Sequence, residues 1–283
     1  MSDNPLCVRF GINAALIWCD DDSLGRSLTQ HFRHCLGAID HSSVVARYWI
    51  TTQAHGKLHL RRDHKFLETD AEPFYIFMHL IRDVMARLAT QGQPGLVFHA
   101  AGLACDQRGL ILCGASDSGK STLTARLIGA GFDYLSDELI VIRLQPYEMS
   151  GLARPLLLKE GSAFVWEQWL ISEANESQLN FFNGVAWLDP ELLRPDCIEL
   201  KAAPTLLIFP RYTNHASLTA RPLSAAETLF HLMPQLVNFE NLPNRGFPPT
   251  QHLARQITAY RLIYGEATQA ADWIANKLNQ ISS

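Results

Sequence analysis

Residues 114–121 read Gly114-Ala115-Ser116-Asp117-Ser118-Gly119-Lys120-Ser121, a stretch that begins with glycine and ends in Gly-Lys-Ser. It satisfies every fixed position of the pattern G-x-x-x-x-G-K-[ST], the P-loop or Walker A motif. An apolar run ending at Cys113 precedes it, and a segment with Leu123 and Leu127 at helical spacing follows it. The alternative is an ordinary glycine turn before a helix, but an accidental match of all four fixed positions at a strand-to-helix junction is rare, so we expect a phosphate-binding loop.

The residue types in this loop suit the binding of a nucleotide. Glycines let successive backbone N–H groups turn toward an anion, and the start of the following helix adds a positive dipole end. Lys120 would reach the terminal phosphates, and the Ser121 hydroxyl would hold Mg²⁺. The sequence therefore predicts ATP and Mg²⁺ as cofactors. The predicted nucleotide-binding residues are Gly114, Ala115, Ser116, Asp117, Ser118, Gly119, Lys120, Ser121 and Thr122.

An acidic pair, Asp137 and Glu138, follows the short strand expected after the helix of the loop. In a parallel βαβ crossover that strand returns beside the first one, which brings its far end close to the loop. One carboxylate would then reach the metal and the other the attacking group. A solvated acidic turn is the alternative at this point.

His99 belongs to the apolar run that precedes the strand of the loop. If the two runs form an antiparallel hairpin about the turn at Asp106–Gly109, His99 lies level with the loop. We therefore expect His99 beside the phosphates, with a hydrogen-bonded structural histidine as the alternative.

The chain is predicted to have two parts. In residues 1–94, Cys7–Trp18 and Ser43–Thr51 have strand composition. One helix is expected with its cap at Ser23, and another is expected to begin after Pro73 and to stop at Gly92 and Pro94. This is a small α/β unit of unknown role, and the boundary falls at Pro94-Gly95.

Residues 95–283 form the predicted nucleotide-binding catalytic domain. Thr205–Phe209 is expected to be a strand followed by a loop over Pro210–His215. Ser224 and Glu227 have capping-box spacing before a helix, and a helix over part of Ala163–Glu173 is also expected.

Three segments carry a resemblance to a known family. They are His99-Ala100-Ala101-Gly102, the loop itself, and Leu135-Ser136-Asp137-Glu138-Leu139, and they resemble the C-terminal catalytic domain of the HPr kinase/phosphorylases. Further segments, 154–159, 209–212 and 259–264, look like the HPr kinase-related kinase A subfamily. The resemblance implies an α/β fold with a P-loop kinase core of the HPr kinase/phosphoenolpyruvate carboxykinase-like type.

The resemblance also implies roles for single residues. It assigns Asp137 to the substrate hydroxyl with help from His99, and Glu138 to the metal beside Ser121. The second acidic position is aspartate in true HPr kinases and glutamate here. Basic side chains stabilise charge on a transferring phosphoryl group, which makes Arg154 and Arg211 candidates for that task. The predicted catalytic residues are Asp137, His99, Lys120, Arg154 and Arg211, and the predicted metal ligands are Ser121 and Glu138.

Composition excludes several classes of protein. With 24 basic and 28 acidic side chains the net charge is -4, so we expect no non-specific binding of nucleic acid. No apolar stretch approaches the ~20 residues of a membrane span, and no secretory signal opens the chain, so we expect no membrane association and a cytoplasmic location. The six cysteines lack C-x-x-C spacing, so we expect neither a zinc site nor a disulfide framework.

The predicted function is an ATP- and Mg²⁺-dependent kinase that transfers the γ-phosphoryl to a hydroxyl, with a serine of a peptide or small protein as its partner. A kinase of a small molecule such as free serine is one alternative. A nucleotide-dependent regulatory or assembly module with little turnover is another. Homo-oligomerisation stays open.

Overall fold

The computed structural model describes residues 4–115, 117–159 and 185–281. The helix expected within Ala163–Glu173 and the loop residue Ser116 lie outside these ranges. The chain divides into two compact units, Met1–Pro94 and Gly95–Ser283. Within the described ranges, no helix is long and apolar enough to cross a membrane.

The first unit contains a five-stranded sheet in the order β1-β2-β3-β4-β5. Helix α2 contacts all five strands, and α1 contacts β2 and α2. The elements are β1 (Leu6–Phe10), β2 (Asn13–Cys19), α1 (Asp22–Phe32), β3 (Val44–Thr52), β4 (Leu58–Arg62), β5 (Lys65–Ala71) and α2 (Pro73–Thr90).

The strand character predicted for Cys7–Trp18 is confirmed. It takes the form of the hairpin β1–β2, because Gly11 adopts φ +59° and turns the chain inside an apolar run. One local prediction was wrong: helix α1 is capped by Asp21, whose side chain accepts a 2.7 Å hydrogen bond from Leu24 N, and not by Ser23. The second predicted helix is present as α2 and begins at Pro73 itself, since proline fits the first turn of a helix.

The strands of the second unit are β6 (Leu96–His99), β7 (Ala101–Cys105), β8 (Arg108–Leu112), β9 (Asp133–Ser136), β10 (Leu139–Leu144), β11 (Tyr147–Gly151), β12 (Leu156–Lys159), β13 (Val185–Leu188), β14 (Lys201–Tyr212), β15 (Thr219–Pro222) and β16 (Thr258–Tyr264). Most of them form a larger mixed sheet in the order β6-β10-β11-β14-β8-β7-β9, in which β16 pairs with β14 and β15, and β12 and β13 form a separate two-stranded sheet. The helices of this unit are α3 (Lys120–Gly129), α4 (Ala225–Leu232), α5 (Phe247–Gln256) and α6 (Ala267–Gln280).

The predicted strand–loop–helix unit is present as β8, the described loop residues 113–115 and 117–119, and α3. Strand β8 lies between β14, which is parallel to it, and β7, which is antiparallel. The apolar side chains predicted for α3, Leu123, Leu127 and Ile128, are all fully buried. The expected direct return of β9 beside β8 was wrong, because β7 is inserted between them and pairs with both.

Strand β14 is longer than predicted. Pro210 and Arg211 belong to the strand and not to a loop, because β16 pairs with it in parallel as far as Tyr212. This long-range pairing outweighs the local turn preference of proline. The predicted capping box is confirmed at the start of α4. The backbone N–H of Glu227 donates to the Ser224 hydroxyl, and the Glu227 carboxylate accepts from the Ser224 backbone N–H and hydroxyl.

Candidate active site

The predicted phosphate loop is anchored where two parallel strands end. Tyr212 N donates a 2.9 Å hydrogen bond to Ser118 O, and the Tyr264 hydroxyl donates a 3.0 Å hydrogen bond to Gly119 O. Gly119 has φ +87°, and a Cβ there would lie 2.9 Å from the Tyr212 Cβ and would clash with the Tyr264 hydroxyl. The motif glycine is therefore required both by its dihedral angle and by the close approach of β14 and β16.

The interior of the loop fits an anion. The Ser118 hydroxyl is buried and has no hydrogen-bond partner among the described residues. A Cβ on Gly114 would lie 2.9 Å from that hydroxyl oxygen, so glycine keeps the space beside it open. An unsatisfied buried donor costs free energy, on the order of 1–3 kcal/mol, which an accepting phosphate oxygen would recover. These features match the predicted phosphate site.

Lys120 is the first residue of α3 and is 9% exposed. Its ammonium nitrogen lies 3.4 Å from His99 Nε2. One turn later, the Thr124 hydroxyl contacts both Lys120 O at 3.0 Å and Asp137 Oδ1 at 3.3 Å. The helix thus links the loop to the acidic pair through side chains on one face.

A buried serine shapes the turn that carries the acidic pair. The Ser136 hydroxyl donates to Leu152 O at 3.0 Å and accepts from Glu138 N and Leu139 N, each at 3.1 Å. These three bonds fix the backbone on which both carboxylates stand. Ser136 is fully buried, so the turn is held from inside the protein.

His99 reaches the site by a different route from the one predicted. It ends β6 and pairs with Leu139 of β10, so the expected pairing of His99 with the loop strand was wrong. The apolar run breaks at Ala100, whose N–H donates to Glu138 O at 3.2 Å, and the hairpin with β8 begins only at Ala101. His99 is therefore next to the acidic pair as well as to Lys120.

Asp137 is a buried carboxylate, 5% exposed. Burial raises its pKa to about 6, although the charge of Lys120 and a hydrogen bond with the Ser121 hydroxyl act in the opposite direction. The resemblance assigned Glu138 to the side of Ser121. In the structure, Asp137 is the carboxylate beside that hydroxyl.

Glu138 is more open than its neighbour, with a side chain 32% exposed. Its two carboxylate oxygens lie 3.4 Å from His99 Nε2 and 3.4 Å from Arg154 Nη2. Burial alone would raise the pKa of Glu138, but the hydrogen bond with His99 and the charge of Arg154 lower it. The carboxylate is thus kept ionised between two basic groups.

The structure brings five predicted residues together: His99, Lys120, Asp137, Glu138 and Arg154. Arg211 lies elsewhere. It is exposed at the end of β14 and lines a cavity beside the loop.

Sequence reasoning did not single out Thr124, Ser136 or Tyr264. Thr124 could have been predicted from the sequence, because it is four residues after Lys120, and residues at that spacing lie on the same face of a helix. The tyrosine gave no local signal, because it reaches the loop only through the pairing of β14 with β16.

Comparisons with known proteins add a distant likeness. No family model matches the chain, and no curated protein matches it. Among solved structures, it is similar to the Hpr(Ser) kinase/phosphatase from Coxiella burnetii, at 12% sequence identity and a TM-score of 0.34, over 66% of this chain and 99% of that chain. A likeness at this level carries no conclusion about the site, so function rests on the geometry described above.

Proposed function

We propose that this protein is an ATP- and Mg²⁺-dependent kinase that phosphorylates a hydroxyl of a serine in a peptide or small protein. The observation that carries the proposal is the position of Lys120. Its buried ammonium group joins a loop with an unsatisfied interior donor to the histidine and carboxylates of the acidic turn. Lys120 therefore lies between the proposed phosphate loop and the proposed acceptor site.

The two carboxylates differ in access, and this divides their tasks. Asp137 is 5% exposed and adjoins Ser121, whereas the side chains of His99 and Glu138 are 41% and 32% exposed. A hydroxyl arriving from solvent therefore meets the second pair more readily than Asp137. We therefore assign Asp137 and Ser121 to the cation and Glu138 with His99 to the acceptor, which exchanges the carboxylate roles that the resemblance implies.

The residues on the cation side fit Mg²⁺. A hydroxyl and a carboxylate are hard oxygen ligands, and P-loop enzymes hold magnesium with such a pair. When bound, Mg²⁺ neutralises charge that develops on the β- and γ-phosphate oxygens.

Each remaining residue has a separate part in the transfer. Glu138, oriented by His99 and Arg154, accepts a hydrogen bond from the acceptor hydroxyl and aims its oxygen at the γ-phosphorus. The new O–P bond forms as the bond to the β–γ bridging oxygen breaks, ADP leaves, and the proton passes to Glu138. Lys120 and Arg154 stabilise the charge on the transferring group.

The lowered pKa of Glu138 agrees with positioning more than with strong basicity. Phosphoryl transfer has a loose transition state, so the proton need leave only late. Geometry therefore contributes more than base strength at this site.

The test is transfer from labelled ATP to serine-containing peptides, small proteins and free serine. Lys120→Ala and Glu138→Gln are each expected to lower transfer by at least ~100-fold. Lys201→Ala, at a lysine whose side chain is 63% exposed, serves as the matched control.

Undiminished transfer by both site variants would refute the mechanism. If free serine is phosphorylated and none of the peptides or small proteins is, the acceptor is a metabolite and not a macromolecule. Tight binding of ATP without any transfer would favour a regulatory module.

A further inference from the structure

A cavity of about 500 Å³ opens on one flank of the phosphate loop. Its walls combine loop backbone with aromatic and basic side chains. Among the lining residues are Gly114, Ala115, Arg211, Phe230, His231 and Arg261. Its volume is within the range of pockets that take small ligands.

The cavity lies beside the loop but apart from the acidic turn. Strand β14 borders the loop strand β8, and Arg211, the residue before the last one of β14, lines the cavity. Asp137 and Glu138 connect β9 to β10. His99, Lys120, Asp137 and Glu138 do not line the cavity.

This division matches the geometry of phosphoryl transfer. The attacking and leaving oxygens lie roughly in line on opposite sides of the transferred phosphorus. If the acceptor approaches from the side of Glu138, the leaving diphosphate and its nucleoside extend away from that carboxylate. The cavity does not include the acidic turn, and Gly114 and Ala115 of the loop itself bound it.

The aromatic wall gives the cavity the chemistry of a base site. Phe230 lines the cavity and is 75% exposed, so one face of its ring is open to a ligand. Its ring meets His231 edge-on at 5.6 Å, and His231 packs on Phe209 at 5.1 Å, so the platform is braced from behind. Every nucleobase has a flat π-face that can stack on such a ring, so stacking does not depend on which base is bound.

We propose that this cavity binds the base and ribose of the nucleotide, with Phe230 as the stacking surface. The inference rests on the proposed function, because it assumes that the loop holds the phosphates. It adds a nucleoside site to that function and names the residue on which the base lies.

The experiment measures dissociation constants in Mg²⁺ for two probes, ATP and inorganic tripolyphosphate, which lacks base and ribose. Phe230→Ala is expected to weaken ATP by about tenfold and to leave tripolyphosphate unchanged. Phe230→Trp should restore ATP affinity. Phe66→Ala, which removes an exposed phenylalanine of the first unit, should change neither.

Equal affinity of the wild type for both probes would overturn the inference, and so would ATP affinity unaffected by Phe230→Ala. A loss of acceptor turnover in Phe230→Ala with ATP binding intact would overturn it as well, by giving the cavity to the acceptor. If the wild type binds neither probe, the phosphate loop itself fails and both proposals fall. Binding of ATP and tripolyphosphate that is insensitive to Phe230 leaves the kinase proposal standing and removes only the base site.

Discussion

Replacing the buried carboxylate of Asp137 by the neutral amide in Asp137→Asn is expected to stabilise the metal-free protein at neutral pH. The pKa of Asp137 is raised from 3.8 to about 6 in the folded protein, chiefly by burial, and this value already includes the opposing attraction of Lys120. At about 1.36 kcal/mol per pKa unit, the ionised carboxylate costs the folded state ~3 kcal/mol.

The sign of the pH dependence follows from the direction of the shift. A carboxyl with a raised folded pKa binds its proton more tightly when folded, so its ionisation penalises folding. The penalty is fully present above about pH 6 and disappears below about pH 4. The wild type should therefore lose stability relative to Asp137→Asn as pH rises through this window.

The assay is urea unfolding with EDTA present, at several pH values between about 4.5 and 8. The gain from Asp137→Asn should approach ~3 kcal/mol at pH 8 and shrink toward zero at the acid end. Asp272→Asn, at an exposed aspartate of α6, is the control and should show no such trend. A variant equal to or less stable than wild type at pH 8 would refute the reasoning.

Three further predictions concern the loop, the acidic turn and the acceptor side. Gly119→Ala should lower the free energy of unfolding by ~2 kcal/mol or more in urea titrations, because an L-residue is strained at φ +87° and its Cβ would clash with Tyr212 and Tyr264. The control Gly129→Ala should not destabilise the protein, because the nearest atom to a Cβ there is 3.9 Å away. Ser136→Ala should cost ~1–3 kcal/mol, since the N–H groups of Glu138 and Leu139 lose their acceptor, whereas the exposed Ser27→Ala should cost little; equal losses would contradict the role of the turn. Glu138→Gln should lower kcat by ~100-fold or more while KM for ATP changes little, and steady-state kinetics that show the reverse split would give Glu138 to the cation side.

The strand, loop and helix around the phosphate site could be predicted from the sequence. The motif, the apolar run before it and the helical spacing after it are all local signals. The capping box at Ser224 could be predicted as well, because Ser224 and Glu227 lie within one helical turn. Local patterns of this kind depend on few residues and survive in the folded protein.

Long-range pairing could not be predicted in the same way. The sequence placed His99 in a hairpin with the loop strand, whereas the chain leaves that hairpin and pairs His99 with Leu139. Nothing near Pro210 in sequence indicates that β16 will extend the strand as far as Tyr212. The choice of sheet neighbours depends on burial and cross-strand packing over the whole unit.

The different solvent exposure of the two carboxylates also could not be predicted from the sequence. Asp137 and Glu138 are adjacent and chemically alike, yet one is buried beside Ser121 and the other faces His99 and Arg154. The difference arises from the turn held by Ser136. The division of tasks between the two carboxylates could therefore be proposed only from the structure.

Calorimetric titration of ATP in Mg²⁺ tests most directly whether the loop and Lys120 hold a triphosphate. The wild type and Lys201→Ala should bind with the same dissociation constant, and Lys120→Ala should bind about 10- to 100-fold more weakly, the range expected for a hydrogen bond to a charged group. Unaltered affinity in Lys120→Ala, or no binding of ATP by the wild type, would contradict the account.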